Sequence, residues 1–257
     1  MTKRGPIKIP GKEALQAPLP KRLYKGVTVA EASPPSGGEN RYQILLDGRP
    51  VRTPKKLALA LPTRALAEAI AAEWAAQGER IDPSTMPLTR LAFTALDGVA
   101  RHMAEVASDI VKFAASDLLC YRAEAPAVLV HLQAAAWDPI LRTMEDELGA
   151  RFRLAAGVMP VAQSHAALDR VAAALQPYDA LALTSLHVMT TLMGSALLAL
   201  AHAKGRISAK EAWAAAQVDE DWQISQWGVD VEAVERRARR WAEMQAASRF
   251  LQLLAAD

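Results

Sequence analysis

The longest stretch of the chain without a charged side chain runs from Ala180 to Ala203 and consists mainly of alanine, leucine and methionine. A helix that is apolar on every side belongs in the middle of a helical domain, where its hydroxyl groups can donate to carbonyls one turn upstream. The stretch is also long enough to cross a bilayer, which leaves a membrane-attached protein as one alternative. His187, His202, the hydroxyl side chains and the lack of flanking aromatic residues instead predict a buried central helix over residues 180–203.

The pattern before residue 63 is typical of short strands separated by turns. The Asp47-Gly48 pair predicts a type I′ hairpin, because both central positions of that turn require a positive φ. We predict an antiparallel β domain over residues 22–62, too small to be stable alone. Residues 1–21 are basic and contain several prolines, and we predict a mobile arm there. The predicted strands are Leu23–Val29, Tyr42–Leu46, Pro50–Thr53 and Leu57–Leu61.

From residue 63 onward the apolar positions recur with helical spacing. Thr63 is a predicted N-cap, followed by Leu66, Ile70 and Trp74 on one face. The fold class is therefore predicted as α+β, with the small N-terminal antiparallel β domain followed by a larger, mainly α-helical domain over residues 63–257. Its later predicted elements are a helix from Pro126 to Leu148, a short strand at Arg151–Leu154, a helix capped by Ser164, a helix from the Ser208/Glu211 capping box to Gly228, and a last helix from Val231.

Composition narrows the classes of protein that fit. With 257 residues, 51% of them hydrophobic, the chain can bury a full core. Its net charge is only +2 and the two signs are interspersed, so a nucleic-acid partner is not expected. The single Cys120 cannot form an internal disulfide, and no secretory leader precedes the fold, so we expect a reducing cytoplasm.

The sequence contains none of the common catalytic or cofactor-binding motifs. It has no phosphate-binding loop and no G-x-G-x-x-G, and its histidines occur singly, so neither a cofactor nor a metal site is expected. An enzyme remains the main alternative, in the form of a hydrolase with an unrecognised carboxylate pair such as Glu73 with Asp82 or Glu220 with Asp219. A deep polar pocket with perturbed carboxylates would favour this enzyme, whereas a shallow patch with an apolar rim would favour binding.

Three consecutive carboxylates, Asp219, Glu220 and Asp221, stand between the apolar residues Val218 and Trp222. Consecutive helical positions fan through about 200°, so at least one of these carboxylates should face the surface on which the neighbouring tryptophans pack. The cluster is either an exposed acidic turn or a recognition site, because aromatic anchors beside a fixed charge are typical of interface hot spots.

A series of short motifs, specific in this order, spans most of the chain: Tyr24–Val27, Leu46–Pro54, Ala72–Trp74, Ile81–Leu91, Asp117–Arg122, Ala136–Pro139, Asp219–Ile224 and Gln226–Gly228. In these motifs the sequence resembles the family of assembly chaperones that hold the α subunit of the F-type ATP synthase catalytic head, of the mitochondrial and alphaproteobacterial type. One departure is Phe93, where the family pattern has a polar asparagine before Thr94.

The resemblance implies a chaperone without catalysis, cofactor, small-molecule substrate or stable membrane insertion. The implied partner is the unassembled α subunit. The absence of organelle targeting and the Ala/Arg-rich composition predict a bacterial cytoplasmic member, and the mitochondrial matrix is expected for eukaryotic relatives. The family's important acidic residue corresponds to Glu220, with Asp219 and Asp221 as alternatives. Trp222, Gln226 and Trp227 are expected to complete the partner surface, whereas the helical spacing of Trp74 predicts a core residue.

Overall fold

The computed structural model describes residues 19–32, 41–157 and 160–256, so most of the predicted mobile arm lies outside the described residues. A small antiparallel sheet is followed by a mainly helical region, as predicted. The strands are β1 (Val27–Ala32), β2 (Arg41–Leu46), β3 (Arg49–Pro50), β4 (Ala60–Leu61), β5 (Tyr121–Arg122) and β6 (Ala155–Ala156). The helices are α1 (Arg64–Ala75), α2 (Pro87–Asp97), α3 (Met103–Ala115), α4 (Ala127–Leu148), α5 (His165–Leu175), α6 (Ala180–Met193), α7 (Ala196–Ala203), α8 (Ala209–Ala216), α9 (Val218–Trp227) and α10 (Val231–Leu254).

The N-terminal sheet has the order β1-β2-β3, and β4 pairs with the other end of β2. Asp47 and Gly48 have φ values of +48° and +81°, which confirms the predicted turn between β2 and β3. The first strand was predicted to begin at Leu23, but β1 begins at Val27. The carboxylate of Asp47 accepts hydrogen bonds from the backbone N–H groups of Lys25 and Gly26, which holds this segment outside the strand ladder.

A first hydrophobic core joins this sheet to the helices. Ile44 of β2 packs with Leu66 and Ile70 of α1, and Phe250 near the end of α10 closes the same cluster. The Thr63 hydroxyl accepts from Leu66 N–H, which confirms the predicted cap, and donates to the carbonyl of a residue near the end of α10 at 2.7 Å. The sheet is thus fixed to both ends of the helical region. How the chain divides into domains stays a prediction.

The second core surrounds residues 180–203, which are buried as predicted, but the prediction of one continuous helix was wrong. α6 ends at Met193, Gly194 adopts the left-handed region with φ +66°, and Ser195 caps α7. The fully buried Asp117 stabilises this break, because its carboxylate accepts from Leu197 N–H at the start of α7. None of the helices described is both long and apolar enough to cross a bilayer.

The strands predicted at Pro50–Thr53 and Leu57–Leu61 are shorter in the structure, as β3 and β4, and two predicted elements of the helical region also differ. Arg151–Leu154 is not a strand, since the side-chain amide of Gln163 bonds both the N–H and the carbonyl of Arg153, and the strand pairing occurs at β6 instead. The capping box at Ser208 is confirmed. The helix that follows the capping box does not continue to Gly228, however. It ends at Ala216 as α8, and a separate helix, α9, begins at Val218.

Candidate functional site

The predicted site residues lie on α9, a short helix that packs beside α4. The indole N–H of the fully buried Trp137 on α4 donates to the carbonyl of Ala215 at 2.7 Å, which fixes the end of α8 against α4. The chain turns at Gln217 and α9 then runs beside α4 with none of its residues fully buried. A helix held mainly at its first turn leaves the rest of its surface open to other molecules.

Asp219 holds this first turn in place. Its carboxylate accepts from the side-chain amide of Gln133 on α4 at 2.7 Å, and the Gln133 carbonyl oxygen in turn accepts from Ala123 N–H at 2.8 Å. Gln133 is buried, so this chain of hydrogen bonds is shielded from water. Asp219 therefore has a structural partner within the chain.

Asp221 joins α9 to α10 through an ion pair with Arg237. The hydrogen bond from the guanidinium to this carboxylate holds the pKa of Arg237 above its ordinary value. The side chain of Arg237 is 27% exposed and that of Asp221 is 52% exposed, so water and salt partly screen this ion pair. Asp221 is thereby bound within the chain as well.

Glu220 is the one member of the acidic cluster with no hydrogen bond or ion pair among the described residues. It is half-buried and faces a small groove, with a volume of about 330 Å³, that lies between α9 and the first half of α10. The groove is lined mainly by apolar side chains, including Trp213, Ile224, Val234 and Trp241. We call it the Glu220 groove.

A larger groove of about 630 Å³ lies on the opposite side of α9, against α4. Its lining combines Leu132 and Ile140 of α4 with Val218 and the half-buried Trp222 of α9. The acidic residues at its rim are Glu211, which closes the capping box of α8, and the already paired Asp221. The groove is therefore apolar, and its carboxylates are bound to other groups.

The end of α9 exposes several large apolar side chains to solvent. Trp227 is 79% exposed, and Val229, Val231 and Val234 are between 47% and 72% exposed. We call these four residues the α9–α10 apolar patch. Contiguous exposed apolar side chains typically mark interaction sites, and Val229 and Val234 continue this patch into the Glu220 groove.

The structure thus places the predicted site residues in several different surroundings. Asp219 and Asp221 anchor α9, Trp222 lines the larger groove, and Glu220 faces the smaller one. Gln226 is exposed, and its side-chain amide donates to the neighbouring Ser225. Gln133 and Arg237 were not predicted as site residues, because their contacts with α9 depend on chain packing. The three valines were not predicted either, although their spacing around the start of α10 was an available signal.

Three of the four carboxylates considered for a hydrolase, Glu73, Asp82 and Asp219, make structural contacts. Glu73 accepts from the N–H groups of Leu88 and Thr89 at 2.8 Å and so caps the start of α2. Hydrogen bonds from Ser84 hold the pKa of Asp82 below its ordinary value, as expected for the cap of a short turn. In the described ranges no group of three histidine, cysteine or acidic side chains is arranged to hold a metal ion.

Comparison with known proteins finds one matching family and similar solved structures. The model of the ATP12 chaperone protein family matches residues 21–145, which cover the sheet and most of α1–α4 but not α9. Atp12 from Paracoccus denitrificans is 42% identical, with a TM-score of 0.85 over 91% of this chain and 98% of that chain. A candidate chaperone from Agrobacterium tumefaciens is 49% identical, with a TM-score of 0.87 over 93% of this chain and 88% of that chain. This chain therefore belongs to the ATP12 chaperone family.

Proposed function

We propose that the protein is an ATP-independent assembly chaperone that binds the unassembled α subunit of the F-type ATP synthase. The observation that carries this proposal is the α9–α10 apolar patch beside two apolar grooves, in a chain of the ATP12 chaperone family. Apolar anchors next to fixed charges are suited to binding another protein. The hydrolase alternative has no comparable support, since Glu73, Asp82 and Asp219 all bind structural groups.

In this proposal the chaperone protects the α subunit from aggregation by mass action. A subunit that exposes an apolar interface before assembly tends to aggregate. A chaperone that covers this interface lowers the concentration of the aggregating form, and it must bind less tightly than the β subunit that later replaces it. The partner-binding residues in this proposal are Glu220, Trp222 and Trp227, while Asp219 and Asp221 hold α9 in the orientation that presents them, and Gln226 lies at the edge of the surface.

The direct test is light scattering of the cognate α subunit diluted from denaturant, with and without an equimolar amount of this protein and without nucleotide. Suppressed scattering and a one-to-one complex on a sizing column are the expected results. An unrelated aggregating protein serves as the control client. Scattering that is unchanged for the α subunit, or suppressed equally for the control client, would contradict the proposal.

A further inference from the structure

The charge of the chain is divided unevenly between the N-terminal sheet and the helical region. The described residues between 19 and 64 include nine lysine or arginine residues and two acidic residues, a net charge of +7. Residues 65–257 contain 17 basic and 24 acidic residues, a net charge of −7. Behind the small total of +2 the sheet is therefore strongly basic, and a charge asymmetry of this kind steers a protein towards an anionic partner.

The N-terminal sheet has one face in the core and one face towards solvent. Ile44 and Val51 point into the first core, where α1 packs on the sheet. Leu45 points to the opposite face, because neighbouring residues of a strand alternate, and it pairs with Thr28 of β1 and Pro50 of β3. Thr28 and Pro50 are exposed and Leu45 is only half-buried. We call the face formed by these three residues the outer sheet face.

Exposed basic side chains border the outer sheet face. Arg41 lies on the same face as Leu45, because the two residues are four positions apart on β2. Arg52 lies two residues beyond β3, and its guanidinium donates to the carbonyl of Lys56 at 3.0 Å, which holds the following loop beside the face. Lys55 and Lys56 in this loop are both exposed. We call Arg52, Lys55 and Lys56 the basic loop.

The basic loop has a fixed shape. The Thr53 hydroxyl and the N–H of Lys55 both donate to the carboxylate of Asp97 at the end of α2, and the Lys55 ammonium donates to the Asp97 carbonyl at 2.7 Å. Lys56 adopts the left-handed region with φ +66°, and its side chain has no ion pair among the described residues. With Asp97 counted, the loop carries a net charge of +2. Leu57, which is 36% exposed, places an apolar side chain next to this charge.

We propose that the outer sheet face and the basic loop dock on an anionic lipid surface, with Leu57 entering the headgroup region. Mobile lipid phosphates gather around long basic side chains that have no fixed partner, and a flat face allows several such side chains to reach one planar surface together. A nucleic acid is less well matched, because Thr28, Leu45 and Pro50 offer no aromatic ring on which a base could stack.

The same charge asymmetry orients the docked protein. The helical region, with its net charge of −7, is repelled by the anionic surface that attracts the sheet. The helix α9 packs on α4 and α8, which belong to the second core. Its grooves and the α9–α10 apolar patch therefore remain free while the sheet is docked. This inference adds a place of action to the proposed chaperone but does not rest on that function.

The test is co-sedimentation of the full chain with vesicles of phosphatidylcholine alone or of phosphatidylcholine mixed with phosphatidylglycerol, at low and at physiological salt. We expect binding to the anionic vesicles only, and weaker binding at the higher salt concentration. Each basic side chain near such a surface contributes about fivefold to the partition constant, so Lys56→Glu, which changes the charge by two units, should bind about twenty-fivefold more weakly. Lys210→Glu makes the same change at an exposed position of α8 and is the matched control that should bind as the wild type does.

A second measurement locates the surface that touches the lipid. A fluorescent dye is attached to Leu57→Cys or to Lys210→Cys, since the native Cys120 is buried. Brominated lipids should quench the dye at position 57 and not the dye at position 210. Equal quenching at both positions would overturn the proposed orientation and with it the docking surface.

Three other results would also overturn the inference. They are no binding to anionic vesicles, an equal loss of binding for Lys56→Glu and Lys210→Glu, and binding to polyuridylate or polyglutamate without binding to vesicles. The last result would assign the basic surface to a nucleic acid or to an acidic protein, respectively. These assays contain no α subunit, so their outcome is separate from that of the chaperone test.

Discussion

Replacing Trp227 with alanine separates binding from folding. The side chain is 79% exposed, and a tryptophan buries roughly 200 Å² when it is fully covered, so a partner could cover about 150 Å² of it. At about 25 cal/mol per Å² this area corresponds to a ceiling of about 4 kcal/mol. Because association also immobilises side chains and desolvates polar groups, we expect a loss of about 2 kcal/mol, or about thirtyfold in Kd.

The stability of the protein should barely change, because little of the Trp227 surface is buried in the free chain. We expect the free energy of unfolding to shift by less than about 0.5 kcal/mol, as for other surface substitutions. The assay is titration of the α subunit combined with urea unfolding of each variant. Leu23→Ala removes a side chain that is 89% exposed on the N-terminal segment, and it is the matched control that should bind normally.

Two results would refute this reasoning. Binding by Trp227→Ala that equals the wild type would show that α9 does not present this residue to the client. A loss of stability of several kcal/mol would show instead that Trp227 packs within the protein, since only a buried aromatic side chain causes a loss of that size on truncation.

Two further predictions concern the helical region. Trp137→Phe keeps most of the buried volume but leaves the carbonyl of Ala215 without its donor, so the free energy of unfolding in urea should fall by about 1–3 kcal/mol; an unchanged value would show that this bond does not hold α8 on α4. Burial raises the pKa of Asp117 from 3.8 to about 6, against hydrogen bonds from Ser195 and neighbouring N–H groups that lower it. The folded protein therefore holds this proton more tightly than the unfolded chain does. The resulting contribution of Asp117 to the free energy of unfolding is complete below pH 4 and is lost as the pH rises through 6, by about 3 kcal/mol in total. The side chain of Asp117→Asn cannot lose a proton, so the difference in free energy of unfolding between wild type and variant should change over this pH range. A difference that is constant with pH would contradict the raised pKa of Asp117.

The sequence determined the features that depend on a few neighbouring residues. The turn at Asp47-Gly48 forms as predicted because the two positive φ angles suit these residues wherever the turn lies. The cap at Thr63 and the capping box at Ser208 are equally local, because side chain and backbone donor lie within one turn. The order of a small sheet followed by helices follows from the change in apolar spacing near residue 63.

Contacts between distant parts of the chain set where the long apolar segment breaks and what each carboxylate of α9 does. Gly194 and Ser195 carried the local signals for a helix end and a new cap. An apolar run, however, has no periodicity that reveals a break. The side chain that stabilises the break is Asp117, about 80 residues away in the sequence. Likewise, Asp219, Glu220 and Asp221 are equivalent in the sequence. Gln133 and Arg237 distinguish them, because hydrogen bonds and ion pairs act between atoms that packing brings together from distant parts of the chain.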